Sequence, residues 1–175
     1  MISIEKVDNN SMQHFIAPLA VTLMQCVEQG TSIGFVQPFG LAQSTAFWEA
    51  KFQQKRSGYR LELFVASIKG VIAGCVMLDL ETSANQTHRV DIAKLLVHPH
   101  YQRKGIAIEL MQALEKHALL IGRSLLVLDT KTGDNAESLY LKMGFQISGT
   151  IPNFTQNAAL NVCAATTFMY KNLKW

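Results

Sequence analysis

The sequence predicts an α/β domain of α+β type, with about seven strands and about four helices. Three observations predict it. Short alternating or continuously apolar runs recur along the chain, longer stretches carry amphipathic helical spacing, and the two kinds are interleaved rather than segregated. A chain of 175 residues with 49% hydrophobic and 17% charged residues can bury one substantial core. No composition shift or Pro/Gly/Ser linker divides it, so residues 1–175 are expected to form a single domain.

Taken in order, Ile2, Ile4 and Val7 predict a first strand. Asn10 is placed to cap a following helix, with Gln13 at capping-box spacing, and that helix runs towards Gln29. Next comes "GTSIGFVQPFG", whose glycines and proline break periodicity while its Phe and Ile stay apolar, a composition suited to lining a pocket. A second helix is expected over 44–56. "LELFVAS" and "VIAGCVMLDL" then form a hairpin about "IKGV", and "RVDIAKLLV" adds a strand. Helix, strand and helix follow over 105–121, 124–129 and 136–143, and "FQISGTI" and "ATTFMYK" supply the last strands. Ile106, Leu110, Met111, Leu114 and Ala118 follow core spacing.

Composition excludes several classes of function. A formal charge of +3, from 16 basic and 13 acidic residues spread along the chain, does not imply a nucleic-acid partner. Cys26, Cys75 and Cys163 are odd in number, widely spaced and set in apolar stretches, as expected of reduced, buried thiols. The N-terminal "MISIEKVDNN" lacks the pattern of a signal peptide, and no apolar run reaches membrane-spanning length. A cytoplasmic protein with no membrane partner is expected.

One stretch points to chemistry. In "VHPHYQRKGIAIELMQALEKHA" a strand end passes through a basic loop into a helix at Gly105. The unpaired N–H groups of a helix start, its dipole and the charges of Arg103 and Lys104 together favour a phosphate. Gly105 permits close backbone approach, and Ala107 keeps the next turn open. The spacing is Gln-x-x-Gly-x-Ala, neither a Walker A loop nor a dinucleotide fingerprint. A plain strand-to-helix turn with solvated basic residues is the competing explanation.

Context decides between them. "RVDIAKLLVHPHYQRKGIA" resembles the acyl-CoA-binding motif of the GNAT superfamily of N-acyltransferases, and "AESLYLKMGF" resembles that superfamily's second signature. Within it, "NQTHRVDIAKLLVHP" and "LLVLDTKTGDNAESLY" look like members acting on small amines, including tabtoxin-resistance-type acetyltransferases. The resemblance implies a single-domain GNAT-like fold, a mixed, mostly antiparallel central sheet of about seven strands flanked by about four helices, in which two parallel strands, ending near Val97 and Asp129, splay to form a cleft for acetyl-CoA. Backbone groups of Leu95, Leu96 and Val97 would flank the pantetheine arm. Gln102, Arg103, Lys104, Gly105, Ile106 and Ala107 would hold the pyrophosphate.

The same resemblance makes Tyr140 the expected acid beside the departing sulfur, against a core Tyr packed on Phe145. Asp91 is the candidate base, six residues before Val97, against an Asp paired with Arg89 or Lys94. Asp91 and Lys94 have opposite parity, so a regular strand would part them unless a bulge intervenes. His88 is a second possible base, while Phe35, Asp129 and Thr130 are candidates for acceptor contact. Gly133 stands where many members carry an asparagine, so that role is not transferred. His98 and His100 make a poor metal site, and no metal is expected.

The implied activity is acetyl transfer from acetyl-CoA to a primary amine of a small molecule, in detoxification or antibiotic modification. A protein or peptide amine is the alternative, and a non-catalytic acyl-CoA-binding module is a third reading. "GTSIGFVQPFG" and "TIPNFTQN" could close over a small ligand. A homodimer stays open.

Overall fold

In the computed structural model, which describes residues 1–157 and 159–173, the strand-like segments join one seven-stranded sheet. Its strands are β1 (Ile2–Lys6), β2 (Leu61–Ile68), β3 (Val71–Asp79), β4 (Arg89–Val97), β5 (Leu125–Lys131), β6 (Gln146–Gln156) and β7 (Cys163–Asn172). Their spatial order is β1-β2-β3-β4-β5-β7-β6, and β4 with β5 is the parallel pair in an otherwise antiparallel arrangement. Four helices accompany them: α1 (Met12–Glu28), α2 (Leu41–Arg56), α3 (Ile106–Leu120) and α4 (Asn135–Lys142).

Alternation along the strands builds two cores. On one face Leu63, Val65, Cys75 and Met77 meet Leu19 and Leu23 of α1 and Trp48 and Phe52 of α2. On the other, Val76, Leu78, Val90 and Leu126 meet Ile106, Leu110, Met111, Leu114 and Ala118 of α3. All five expected core positions of α3 are buried. Ser44 ties the helices of the first layer together, its Oγ donating to the Ala20 carbonyl at 2.7 Å.

Local chemistry explains where boundaries fall. The β2–β3 hairpin turns at Lys69 and Gly70, with φ of 53° and 79°, the two positive values that a tight hairpin turn needs. Asn10 does not cap α1. Instead Asp8 Oδ1 accepts the N–H groups of Asn10 and Ser11 at 2.8 and 2.7 Å, and the helix begins at Met12. α2 starts three residues earlier than its apolar spacing suggests, because Gln43 Oε1 accepts the Gly40 N–H at 2.9 Å. "TIPNFTQN" is not a closing loop: it forms the second half of β6, an edge strand, where Phe154 packs edge-on against Phe168 at 5.4 Å. Cys26 and Cys75 are buried and free as expected, but Cys163 is exposed at the start of β7.

β4 carries the irregularity that shapes the site. Cys75 pairs with Leu96 and Met77 with Ala93, so Val76 alone faces two residues, Lys94 and Leu95. This is a β-bulge, and Lys94 adopts φ of 52° within it. Side-chain parity therefore changes. Val90 and Ile92 face α3 before the bulge, and Leu95 and Val97 face it afterwards, while Lys94 joins Ala93 on the α1/α2 face.

Candidate active site

β4 and β5 pair only through Arg89–Leu125, Val90–Leu126 and Asp91–Val127. Beyond that point they part, leaving 92–97 of β4 and 128–131 of β5 unpaired across the gap. The N–H of His98 donates to Ala73 at 2.9 Å, so alternation turns the backbone of Leu96 towards β3 and that of Leu95 and Val97 into the gap. Val97 O is approached by Cys26 Sγ at 3.5 Å and Gln102 Nε2 at 3.4 Å. Burial pushes the Cys26 thiol up to about 11, which leaves it a packing group rather than a nucleophile.

The gap widens into a cleft of about 640 Å³ lined by 95–97, by Gln102, Arg103 and 105–108, and across from them by Lys131 and 134–136. Among the described residues, the N–H groups of 103–108 donate to no backbone acceptor. Arg103 and Gly105 have φ of 59° and 84°, conformations that turn the chain sharply into the helix. A Cβ on Gly105 would meet nothing within 4 Å, so within the protein its left-handed backbone is what favours glycine there.

Lys104 departs from expectation. Its Nζ donates to the His100 carbonyl at 3.1 Å and lies 5.1 Å from the centre of the Tyr101 ring, committed to the outer turn rather than the cleft. Gln102 reaches the end of α1 instead, donating to Gln29 Oε1 at 3.2 Å. His98 and His100 share a turn in which His98 Nδ1 accepts the His100 N–H at 3.2 Å. Burial, and secondarily His100, lower the proton affinity of His98.

Tyr140, on α4, is buried with its ring centre 5.5 Å from that of Phe145. Burial first, and the Asp129 carboxylate second, push its hydroxyl up to about 12. The charge of Asp129 thus bears on that hydroxyl. It also favours the charge on Lys94, across the gap. Thr130, one residue along β5, points to the opposite face from Asp129 by strand alternation, so the two do not share one surface.

Asp91 stands where the strands begin to part, and its Oδ2 accepts from Arg89 Nη2 at 2.7 Å. The carboxylate is thus engaged in the ion pair that was its structural alternative. His88 lies outside the cleft: it is exposed at the paired end of β4, where its carbonyl accepts the N–H groups of Ser124 and Leu125. Phe35 packs against Phe39 and Phe47, at centroid separations of 4.6 and 5.2 Å, and forms an aromatic wall on the α1/α2 face.

A sequence profile of the acetyltransferase (GNAT) family matches residues 24–145. The chain belongs to the GNAT acetyltransferase family. It is accordingly an acyltransferase, and the GNAT fold extends over nearly its whole length. The chain is similar to yncA, a putative acetyltransferase from Salmonella typhimurium solved with acetyl-CoA, at 21% identity and a TM-score of 0.75 over 99% of this chain and 94% of that one. It is similar to an N-acetyltransferase from Staphylococcus aureus Mu50 at 18% identity and a TM-score of 0.78, covering 99% of each. A ribosomal-protein-alanine N-acetyltransferase from Brucella melitensis gives 19% identity and a TM-score of 0.75 over 98% and 99%.

Two parts of this GNAT site are not legible from motifs. Gly30 and Thr31, which open "GTSIGFVQPFG", do line the cleft as that segment's composition suggests, but Cys26 and Gln29 at the end of α1 join them from a helix distant in sequence from the loop it faces. Lys94 reaches the aromatic wall only because of the bulge, which depends on counting residues across two strands.

Proposed function

We propose that this GNAT enzyme transfers the acetyl group of acetyl-CoA to the primary amine of a small molecule. The observation that carries the reading is the continuity of backbone groups facing the cleft, from Leu95 and Val97 on the parted edge, where Val97 O meets only the Cys26 thiol and the Gln102 side chain, to the amides of 103–108, which have no backbone partner among the described residues. An edge of that kind suits the amides of a pantetheine arm, and a helix head with Arg103 beside it suits a diphosphate. Bound there, acetyl-CoA supplies a thioester carbonyl open to a neutral amine.

The chain's own groups then have distinct tasks. Tyr140 keeps its proton across the neutral range and holds it beside the place expected for the leaving sulfur. The acceptor must lose a proton before it can attack. Asp129, exposed beyond the last β4–β5 pair where its charge bears on both Tyr140 and Lys94, is better placed to draw in and deprotonate an ammonium than Asp91, whose Oδ2 is held by Arg89. The aromatic wall of Phe35, Phe39 and Phe47 supports a small acceptor, of the kind handled by tabtoxin-resistance-type enzymes in detoxification.

The test is CoA release from acetyl-CoA by the purified full chain against a panel of small amines and short peptides. Release with small amines is expected. Release with peptides alone would move the acceptor to protein amines, and acetyl-CoA binding without any release would favour a regulatory module.

A further inference from the structure

Lys94 is an unusual residue to find half-buried on the strand that flanks the gap. A β-bulge spends an extra residue and a left-handed backbone, φ 52°, to bring its side chain onto the α1/α2 face. There the Nζ donates to the Ile33 carbonyl at 2.9 Å and lies 5.2 and 5.7 Å from the centres of the Phe35 and Phe47 rings. Gly34 passes over it, where an added Cβ would sit 3.8 Å from the ammonium. An ammonium has three donors, and one carbonyl satisfies one of them.

The surroundings leave this cation short of negative charge. Among the described residues it forms no ion pair, whereas Arg89, at the other end of the same strand, is paired with Asp91. Ring faces attract a cation but do not neutralise it. Lys51, whose Nζ lies 5.9 Å from the Phe47 centroid, adds a second positive charge nearby. Burial, and then Lys51, lower the proton affinity of Lys94, while Asp129 acts in the opposite sense from β5. The face thus carries a half-buried cation on one strand and an exposed carboxylate on the other, beyond the last β4–β5 pair.

We infer that Lys94 receives a carboxylate carried by the amine acceptor, so that the enzyme selects amines bearing that group over amines without it. The inference rests on the acetyl-transfer reading above. Lys94 takes the acceptor's anionic end, Asp129 its ammonium, and Phe35 and Phe47 flank the apolar portion between them. A cation in a poorly solvated site discriminates strongly, because an acceptor lacking the anion leaves it unpaired.

Free ω-amino acids and their carboxamides, matched in shape and nearly matched in amine basicity, are the probes. In wild type the acids are expected to exceed the carboxamides by about tenfold or more in kcat/KM. Lys94→Met should abolish that preference, lowering kcat/KM for the acid through KM by about tenfold more than any change it causes with the carboxamide. Lys94→Arg should retain it. Equal use of acids and carboxamides by wild type, a comparison that needs no variant, would overturn the inference alone. So would a Lys94→Met enzyme that loses both probes equally, the mark of a residue that only pins the loop through Ile33. No CoA release from any amine would overturn the acetyl-transfer reading, and this inference with it.

Discussion

A Cβ placed on Gly74 of β3 would lie 2.6 Å from the carbonyl oxygen of Leu96 on β4, closer than such atoms approach. The same Cβ would sit 3.2 Å from Ile106 Cγ2 and 3.4 Å from Leu110 Cδ1. Backbone, not a flexible side-chain end, is the nearest obstacle, so β3 and β4 must separate to admit it. Gly74→Ala should therefore destabilise the fold by about 1–3 kcal/mol and lower Tm by roughly 3–10 °C. Because the strand displaced is the one whose far edge lines the cleft, acetyl-CoA affinity should fall as well. Thermal unfolding and calorimetry on one preparation check both effects. An unchanged Tm would mean that the sheet absorbs a methyl here at no cost.

Arg103 and Lys104 are adjacent, yet only Arg103 lines the cleft, while Lys104 is held by the His100 carbonyl and the Tyr101 ring. Arg103→Gln should weaken acetyl-CoA binding by about fivefold at low salt, with a smaller loss at high salt as screening removes the charge term. Lys104→Gln should change affinity by less than half as much. Titrations at two ionic strengths distinguish the pair. Equal losses would show that both charges act through the general field of the loop rather than by position.

Tyr140→Phe keeps the packing against Phe145 and removes only the hydroxyl. Turnover is expected to fall by about 100-fold, with acetyl-CoA affinity intact. Linkage supplies a second readout. The folded hydroxyl titrates at about 12 against an ordinary value of 10.0. Below the lower value the group is protonated in both states and its contribution is complete. As pH rises from there through the folded value, the unfolded chain loses the proton first and stability declines. Tyr59, raised to about 12 chiefly by its hydrogen bond to Asp79, acts in the same direction. Tyr140→Phe should accordingly lose less stability than wild type between about pH 9 and pH 11 in denaturant titrations.

Much of this was legible in the sequence because local chemistry and tertiary packing agree. "IKGV" needs two positive φ values and takes them at Lys69 and Gly70, and the five core positions of α3 are all buried. Legibility fails where a distant residue decides. Asp8 supplies the acceptor that Asn10 seemed placed to provide. Pro152 and Asn153 do interrupt the ladder, between the Ile151–Thr166 and Thr155–Ala164 pairs, but β6 is an edge strand exposed along nearly its whole length, so it absorbs the irregularity and continues to Gln156. The bulge at Lys94 inverts the parity relative to Asp91 that a regular β4 would give, and because the pairing with β3 sets it, the aromatic setting of this lysine is not legible from β4 alone.

Two carboxylates can serve the incoming amine, and their environments separate them. Asp91 lies at the closed end of the gap, held by Arg89 at 2.7 Å, whereas Asp129 lies two residues past the last parallel pair, where its charge reaches both Lys94 and Tyr140. If Asp129 takes the proton, Asp129→Asn should lower kcat/KM by about 100-fold at pH 7 and recover partly near pH 9, where more of the amine is already neutral. Asp91→Asn removes the partner of Arg89 rather than a free base. Its rate should fall less than tenfold, with little change in the shape of the pH profile. Profiles of kcat/KM for both variants, with thermal unfolding to confirm the fold, decide between them. A larger, pH-rescued loss in Asp91→Asn would return the proton transfer to Asp91, with Arg89 positioning the base, and would leave Asp129 as an electrostatic guide for the ammonium.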